Sequence, residues 1–294
     1  MWQVFKGLPH TYRLGKYHKQ IKMTSIYQPK NYKIKDIKLI NPSVRLFRII
    51  SNLNPMPGQF IEASIPGIGE APLASCSYDN NYLDILVKKT GNLTGFMFQL
   101  KPKDNLWIRG AYGHGFPVSE LQGKNIILIS GGTGIAPVAS LVSYIEKNRK
   151  KFENINIYFG FRDEDSILIK DKIKEWKKKF NLTICVGKKN KNSDCAQGFV
   201  QDIIGKDKLS VKDSVAVLCG PEIMMFLTTR ILNKLGLTDD KIYWSLERRM
   251  ECALGSCGRC LLQDVYVCRD GPIFRYDKIK PKLEAEKASN KIKV

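Results

Sequence analysis

The sequence predicts two domains, a small antiparallel β-barrel or sandwich followed by a doubly wound α/β domain, with a cysteine-rich loop near the end. Three observations predict it. From about residue 32 to 118, short β-branched runs alternate with turn signals, whereas after about 123 apolar strands alternate with segments of helical spacing. Cys252, Cys257, Cys260 and Cys268 then fall within 17 residues. The 294 residues suit two cores, since a domain usually takes about 100 to 200 residues.

Taken in order, residues 1–24 carry Lys6, Arg13, Lys16, Lys19 and Lys22 with no acid, and form a basic arm to which no function is assigned. Residues 25–120 are the first domain. YKIKDIKLI, VRLFRII, QFIEASI, YLDILVKK and NLWIRG are its strands, and NPS, NPMPG and PGIGEAP are its turns. Residues 121–245 are the second domain. NIILIS, INIYFGF, LTICVG and SVAVL are strands, while VASLVSYIEKN, DSILIKDKIKEWKKKF and EIMMFLTTRILNKLG carry apolar residues at helical spacing. Residues 246–278 hold the cysteine cluster, and the lysine-rich residues 279–294 are expected to be a solvated tail.

Between the strand NIILIS and its helix lies Gly131-Gly132-Thr133-Gly134-Ile135-Ala136-Pro137. Such a turn lets backbone amides approach a ligand, and a helix start with free amides and a positive dipole attracts a pyrophosphate. Pro137 suits the first helical turn, where its missing N–H loses nothing. The motif is neither a Walker A loop nor G-x-G-x-x-G, so an ordinary glycine turn stays open as an alternative. Cys219-Gly220-Pro221 follows SVAVL at the expected carboxyl edge of the same sheet, where open α/β sheets bind ligands. Cys219 is equally consistent with a small buried apolar residue.

Cys252-x4-Cys257-x2-Cys260-x7-Cys268 is the most specific signal. The C-x4-C-x2-C core has the plant-type spacing for a [2Fe–2S] cluster, with a fourth thiolate further on. Gly255 and Gly258 let the loop wrap closely, so that its amides reach the cluster sulfurs. A structural zinc is the alternative, although such sites usually pair two C-x2-C units.

Composition removes several classes. With 43% hydrophobic residues disorder is excluded as the main state, and no apolar run reaches the roughly 18 to 20 residues needed to span a bilayer. The start MWQVFKGLPHTYRLGK lacks a secretory signal's apolar core, so a reducing cytoplasm is expected, where clustered cysteines bind metal. The net charge of +20 invites a nucleic-acid reading. Lys outnumbers Arg 36 to 12, however, and no recognition module accompanies the charge, so no nucleic-acid partner is expected. The Lys-heavy bias runs over the whole chain and reads in part as genome composition, and in part as charge for docking on an acidic partner subunit.

The two turns together resemble the nicotinamide-binding domain of the ferredoxin–NADP reductase superfamily. The resemblance continues through Gly69-Glu70-Ala71-Pro72-Leu73-Ala74-Ser75, Lys88-Lys89-Thr90-Gly91-Asn92-Leu93-Thr94 and Arg109-Gly110-Ala111-Tyr112-Gly113-His114-Gly115-Phe116-Pro117. It implies an FAD-binding antiparallel barrel followed by an NAD(P)-binding doubly wound domain. Ala71, Pro72, Leu73 and Ser75 would flank the isoalloxazine, and Lys88, Gly91, Leu93 and Thr94 would hold the FAD phosphates. Gly131, Gly132, Thr133 and Gly134 would take the nicotinamide cofactor's pyrophosphate, with Cys219, Gly220 and Pro221 beside its nicotinamide. Arg162 would meet a 2′-phosphate, cap the sheet edge or pair with Asp163 to Asp165. Ala74 stands where the branch normally has Ser, so a flavin hydrogen bond is lost unless Ser75 or Ser77 supplies it. His114 is read as a structural hydrogen bonder, and no residue is assigned as a catalytic acid or base.

Ser245-Leu246-Glu247-Arg248-Arg249-Met250 before the cysteines, and Tyr266-Val267-Cys268-Arg269-Asp270-Gly271-Pro272 after the third, narrow the likeness. The chain is similar to the iron–sulfur flavoprotein electron-transfer subunits, closest to the one that serves anaerobic sulfite reductase. It is also similar to the sulfhydrogenase gamma subunit and to the dihydroorotate dehydrogenase electron-transfer subunit. The resemblance implies that NAD(P)H, FAD and the cluster serve a catalytic partner in a siroheme sulfite reductase or, alternatively, a hydrogenase. From another class, a non-catalytic zinc-binding scaffold stays open.

Overall fold

The computed structural model describes residues 25–207 and 209–291, so the basic arm expected over residues 1–24 lies outside the described residues. In the first domain, β1 (Lys30–Asn41), β2 (Val44–Ile50), β3 (Phe60–Ile65), β4 (Gly69–Ala74) and β5 (Tyr82–Lys88) precede α1 (Asn92–Met97) and β6 (Asn105–Tyr112). They make one antiparallel sheet in the order β4-β3-β6-β1-β2-β5. A bridge from Ser75 to Ile85 closes it into a barrel. Phe47 and Ile49, Ile61 and Ala63, and Leu106 and Ile108 point inward two residues apart on their strands.

Strand β4 corrects the expectation that PGIGEAP is a turn. Gly69 and Pro72 punctuate the sequence, yet along its length β4 pairs only with β3. An edge strand needs no donor on its outer side, so Pro72 is tolerated there.

The second domain runs through α2 (Val118–Leu121), β7 (Asn125–Gly131), α3 (Ile135–Lys147), β8 (Ile155–Asp163), α4 (Lys170–Lys177), β9 (Asn181–Lys188) and β10 (Ala196–Gln197). It continues through α5 (Val200–Lys206), β11 (Ser214–Cys219), α6 (Glu222–Lys234) and β12 (Ile242–Ser245). The segment after β12 contains β13 (Leu261–Leu262), β14 (Val265–Tyr266), α7 (Val267–Asp270), β15 (Ile273–Arg275) and α8 (Tyr276–Lys291). The second sheet has the order β10-β9-β8-β7-β11-β12-β15 and is parallel except for β15. Its face under α3 and α4 packs towards Val44, Leu86 and Phe116 of the first domain, and its other face is covered by α5, α6 and α8.

Two boundaries therefore differ from the sequence reading. The cluster segment does not stand apart, because β15 returns to the second sheet. Nor is residue 279 the start of a solvated tail. Tyr276, Ile279 and Leu283 are buried on one side of α8, and Tyr276 stacks on Trp244 with ring centroids 4.6 Å apart. Dense lysines on the other sides conceal this apolar stripe at i, i+3 and i+7.

An ion network joins the domains. Asp84 on β5 is fully buried and takes two hydrogen bonds from Arg48, at 2.8 and 2.9 Å, while Lys172 of α4 stands 3.6 Å away. Breaking a buried pair strands its partner charge, but both cations here keep some solvent. Asp84→Ala is accordingly expected to cost about 3 kcal/mol, the low end for such pairs, read as a lowered urea midpoint.

Candidate functional site

The carboxyl ends of the parallel strands bring the two nucleotide turns together. Ser130 lies opposite Cys219 in the β7–β11 pair, and Gly131 lies opposite Gly160 in the β7–β8 pair. A Cβ on Gly134 would stand 2.5 Å from the Cys219 carbonyl oxygen, and one on Gly131 would stand 2.6 Å from Met224 Sδ. These two positions are glycine because the Cys219-Gly220-Pro221 turn and the start of α6 fill the space. Gly132 is different. Its φ is +55°, and a Cβ there would meet nothing within 4 Å, so the outer rim of the turn is open. An anionic group fits that rim, at the start of the 13-residue helix α3 and beside half-buried Thr133.

Gly134→Ala is expected to drive the two turns apart at a cost of about 3 kcal/mol. A lowered thermal midpoint, together with weakened nicotinamide binding, would check this. A variant as stable as the parent would contradict the packing account.

Cys219 is buried, and its thiol is pushed up to about 12 by desolvation and by the negative charge of Glu247. Glu247, just beyond β12, is partly open to solvent, yet the surrounding protein atoms raise its carboxyl pKa and Lys88 opposes that rise. Glu247 lies two residues beyond Ser245, which pairs with Cys219 at the ends of β11 and β12. The sequence showed it only as part of a family motif and gave it no role, although an acid just after a strand at the ligand edge of the sheet was a usable signal. Arg162 is exposed and donates through Nε to Asp163 at 2.8 Å, one of the alternatives open from sequence.

On the barrel, Ala71, Pro72, Leu73 and Ala74 are apolar yet only half-buried along β4. The Ser75 hydroxyl donates to the Ser77 carbonyl at 2.7 Å, and the Ser77 hydroxyl accepts from Asp84 N–H at 2.9 Å. Both hydroxyls are thus engaged within the chain. Lys88 is exposed at the end of β5, and Gly91 precedes α1. Thr94 accepts from the N–H groups of Thr90 and Gly91, at 3.0 and 2.9 Å, so its hydroxyl shapes this turn. Leu93 is buried and anchors α1 in the barrel. A Cβ at Gly91 or Gly95 would meet nothing within 4 Å, which leaves room above the turn for a diphosphate.

In the cysteine loop, Cys260 and Cys268 are buried with their sulfurs 3.2 Å apart, Cys252 is half-buried, and Cys257 is exposed. Gly255 has φ +73° and donates its N–H to Cys268 Sγ at 3.2 Å. Cys252 Sγ accepts from Leu254 N–H at 3.4 Å and Ser256 N–H at 3.3 Å. Desolvation opposes ionisation of Cys252, but the Ser256 hydroxyl and the N–H groups of Leu254, Cys257 and Ser256 outweigh it and lower the thiol to about 5. Among the described residues no three His, Cys, Asp or Glu side chains converge on one point. Four thiols with amide donors around them suit a group with several sulfur-bridged metals better than a single tetrahedral ion.

Behind this loop, Arg109 of β6 contacts Glu70 of β4 and the backbone of Cys252, with buried Glu62 of β3 beside it. Glu70 and Arg109 stand in motifs noted from the sequence but had no role assigned to them, and Glu62 was not singled out at all. The segment that follows holds the cluster region to the barrel, since His114 N–H donates to the Gly271 carbonyl at 2.6 Å.

Comparison with known proteins agrees with this architecture. Residues 128–230 match the oxidoreductase NAD-binding domain, and residues 247–280 match the iron–sulfur cluster binding domain of dihydroorotate dehydrogenase B. Among solved structures, a chain of the NADH-dependent reduced ferredoxin–NADP oxidoreductase superposes with a TM-score of 0.69 at 24% identity, covering 89% of this chain and 95% of that one. A ferredoxin NADP+ reductase from Neisseria gonorrhoeae gives 0.65 at 17% identity, over 74% of this chain and 98% of that one. The fold is that of the FAD- and NAD-binding ferredoxin reductases, and the chain is an oxidoreductase subunit of that type.

Sulfhydrogenase 2 subunit gamma of Pyrococcus furiosus is 32% identical, covering 85% of this chain and 96% of the relative. A probable dihydroorotate dehydrogenase B (NAD(+)) electron transfer subunit of Thermococcus kodakarensis is 33% identical, over 84% and 96%. The chain belongs to the family of iron–sulfur electron-transfer subunits that includes these two proteins. No described helix is long and apolar enough to cross a membrane.

Proposed function

We propose that this chain links NAD(P)H to a partner redox subunit, with FAD and a [2Fe–2S] cluster as its resident groups. One observation carries the reading: three motifs far apart in sequence converge. Gly134 packs on Cys219, Ser245 beside Cys219 leads directly into the cysteine loop, and Arg109 bridges Glu70 to Cys252. When bound, a flavin exchanges two electrons with nicotinamide and one with a cluster, which is why the three groups belong together.

Each set of residues has its own task. Gly131, Gly132, Thr133 and Gly134 offer the open helix start to a pyrophosphate, and Arg162 keeps its terminal nitrogens beyond Asp163 for an anion. Cys219, Gly220 and Pro221 form the apolar floor beside it, where the Cys219 thiol stays neutral. Ala71, Pro72 and Leu73 present apolar surface to the flavin, braced by buried Ser75. Lys88 brings positive charge to the diphosphate turn that Gly91, Leu93 and Thr94 build. Cys252, Cys257, Cys260 and Cys268 supply four thiolates, and exposed Cys257 marks the side open to a partner.

For the partner, segments 69–72 (GEAP), 107–110 (WIRG) and 160–168 (GFRDEDSIL) resemble the electron-transfer subunit of anaerobic sulfite reductase, which favours that partner. The 32% identity with a sulfhydrogenase gamma subunit supports a hydrogenase partner at least as well. Purification of the native complex without oxygen separates them, since siroheme accompanies the first partner and nickel the second. For the donor, NADH or NADPH should bleach both the flavin and the cluster absorption. No bleaching with either would refute nicotinamide as the donor.

A further inference from the structure

Arg109 is only 7% exposed, and every N–H of its guanidinium is used. Nε and Nη2 donate to the two carboxylate oxygens of Glu70 at 2.8 and 2.6 Å. Nη1 donates to the Cys252 carbonyl at 2.8 Å and to the Tyr112 hydroxyl at 3.3 Å, and Nη2 also donates to the Glu251 carbonyl at 3.1 Å. Tyr112 in turn donates to the Ile26 carbonyl at 2.5 Å. One side chain thus joins strand β4 to the first ligand of the cysteine loop.

We propose that Arg109 is a positioning residue for the iron–sulfur cluster, fastening the ligand loop to the barrel and holding a positive charge that favours the reduced cluster. This rests on the electron-transfer reading above. The loop between β12 and β13 has no regular secondary structure, so its carbonyls lack ladder partners. A planar fork with five donors satisfies two of them while gripping a carboxylate, which the three-donor ammonium of a lysine cannot do in the same geometry. The charge is not cancelled in place. Glu70 keeps 29% of its side chain in solvent, while Arg109 is buried against the loop. Glu62, across the β3–β6 pair, is pushed up to about 8 by desolvation against the pull of Arg109, and so adds little negative charge at neutral pH.

The full chain, purified without oxygen, is titrated electrochemically while the cluster's electron paramagnetic resonance signal is followed. Arg109→Met is expected to lower the cluster potential and Glu70→Gln to raise it, because one removes a positive charge and the other its counter-charge. Arg109→Lys keeps the charge but not the fork. Its potential stays near that of the parent, while iron release to a chelator quickens about tenfold, the value of one charge-assisted hydrogen bond. Shifts of the same sign in Arg109→Met and Glu70→Gln, or no shift in either, overturn the proposal. If Arg109→Met does not fold, Glu70→Gln decides alone: an upward shift supports the proposal and an unchanged potential overturns it. A parent chain without iron overturns the electron-transfer reading instead, before any variant is compared.

Discussion

A Cys252→Ser chain purified without oxygen is expected to keep its flavin and lose its cluster. Soft thiolates hold iron–sulfur groups, and a serine hydroxyl is neither soft nor ionised at neutral pH. Cys252 is the informative choice among the four. Its sulfur receives N–H donors from Leu254 and Ser256, and its carbonyl is held by Arg109, so it is the cysteine of the proposed set that is tied to the barrel. The barrel and the nucleotide turns lie on other elements, so bleaching of the flavin by NAD(P)H should stay within about twofold of the parent. Electron delivery to the partner subunit should fall by at least about a hundredfold, since the cluster is the group that carries single electrons from the flavin to the partner. Iron content, the visible spectrum and partner reduction check the three parts separately. A variant that retains iron and partner reduction would remove Cys252 from the ligand set.

The second large effect is on stability, at Glu62. Its carboxyl is fully buried and neither oxygen has a partner, because the neighbouring guanidinium is occupied by Glu70, Tyr112 and the loop carbonyls. Desolvation raises the group from 4.5 to about 8, while Arg109 pulls the other way. The folded chain therefore holds this proton across a range of pH in which the unfolded chain has released it. Stability contributed by the neutral acid is full below the unfolded value and is lost as pH rises towards 8. The loss is on the order of 3 kcal/mol at pH 7. Glu62→Gln is close in shape to the protonated acid and cannot ionise, although its amide carries two N–H donors where the acid carries one O–H. Its urea midpoint should exceed that of the parent at pH 7.5 and converge with it near pH 5. Parallel pH profiles would show that Glu62 is ionised or solvated in the folded chain.

How much of this was legible in the sequence depends on the distance over which each feature is written. The cysteine spacing and the glycine turn are local features, so both can be read directly from the sequence. The barrel strands were equally visible as short β-branched runs between turn signals. Strand β4 was not, because Gly69 and Pro72 punctuate it and only its position at the sheet edge makes them harmless. Helix α8 was hidden by its lysines, which outnumber the buried Tyr276, Ile279 and Leu283. The joint role of Arg109, Glu70 and Glu62 was hidden for a different reason, although the first two lie in motifs noted from the sequence. Each looks like an ordinary charge on a strand until sheet pairing sets β3 beside β6 and the cysteine loop folds back over them. The use of Gly134 likewise becomes clear only when β11 lies beside β7.

The sharpest test of the account is an anaerobic reductive titration of the full chain. NADH or NADPH should reduce bound FAD, a paramagnetic signal of a single reduced [2Fe–2S] cluster should develop, and the chain should take up about three electron equivalents from a strong reductant, two at the flavin and one at the cluster. A colourless chain that contains zinc, takes up no electrons and shows no such signal would contradict it.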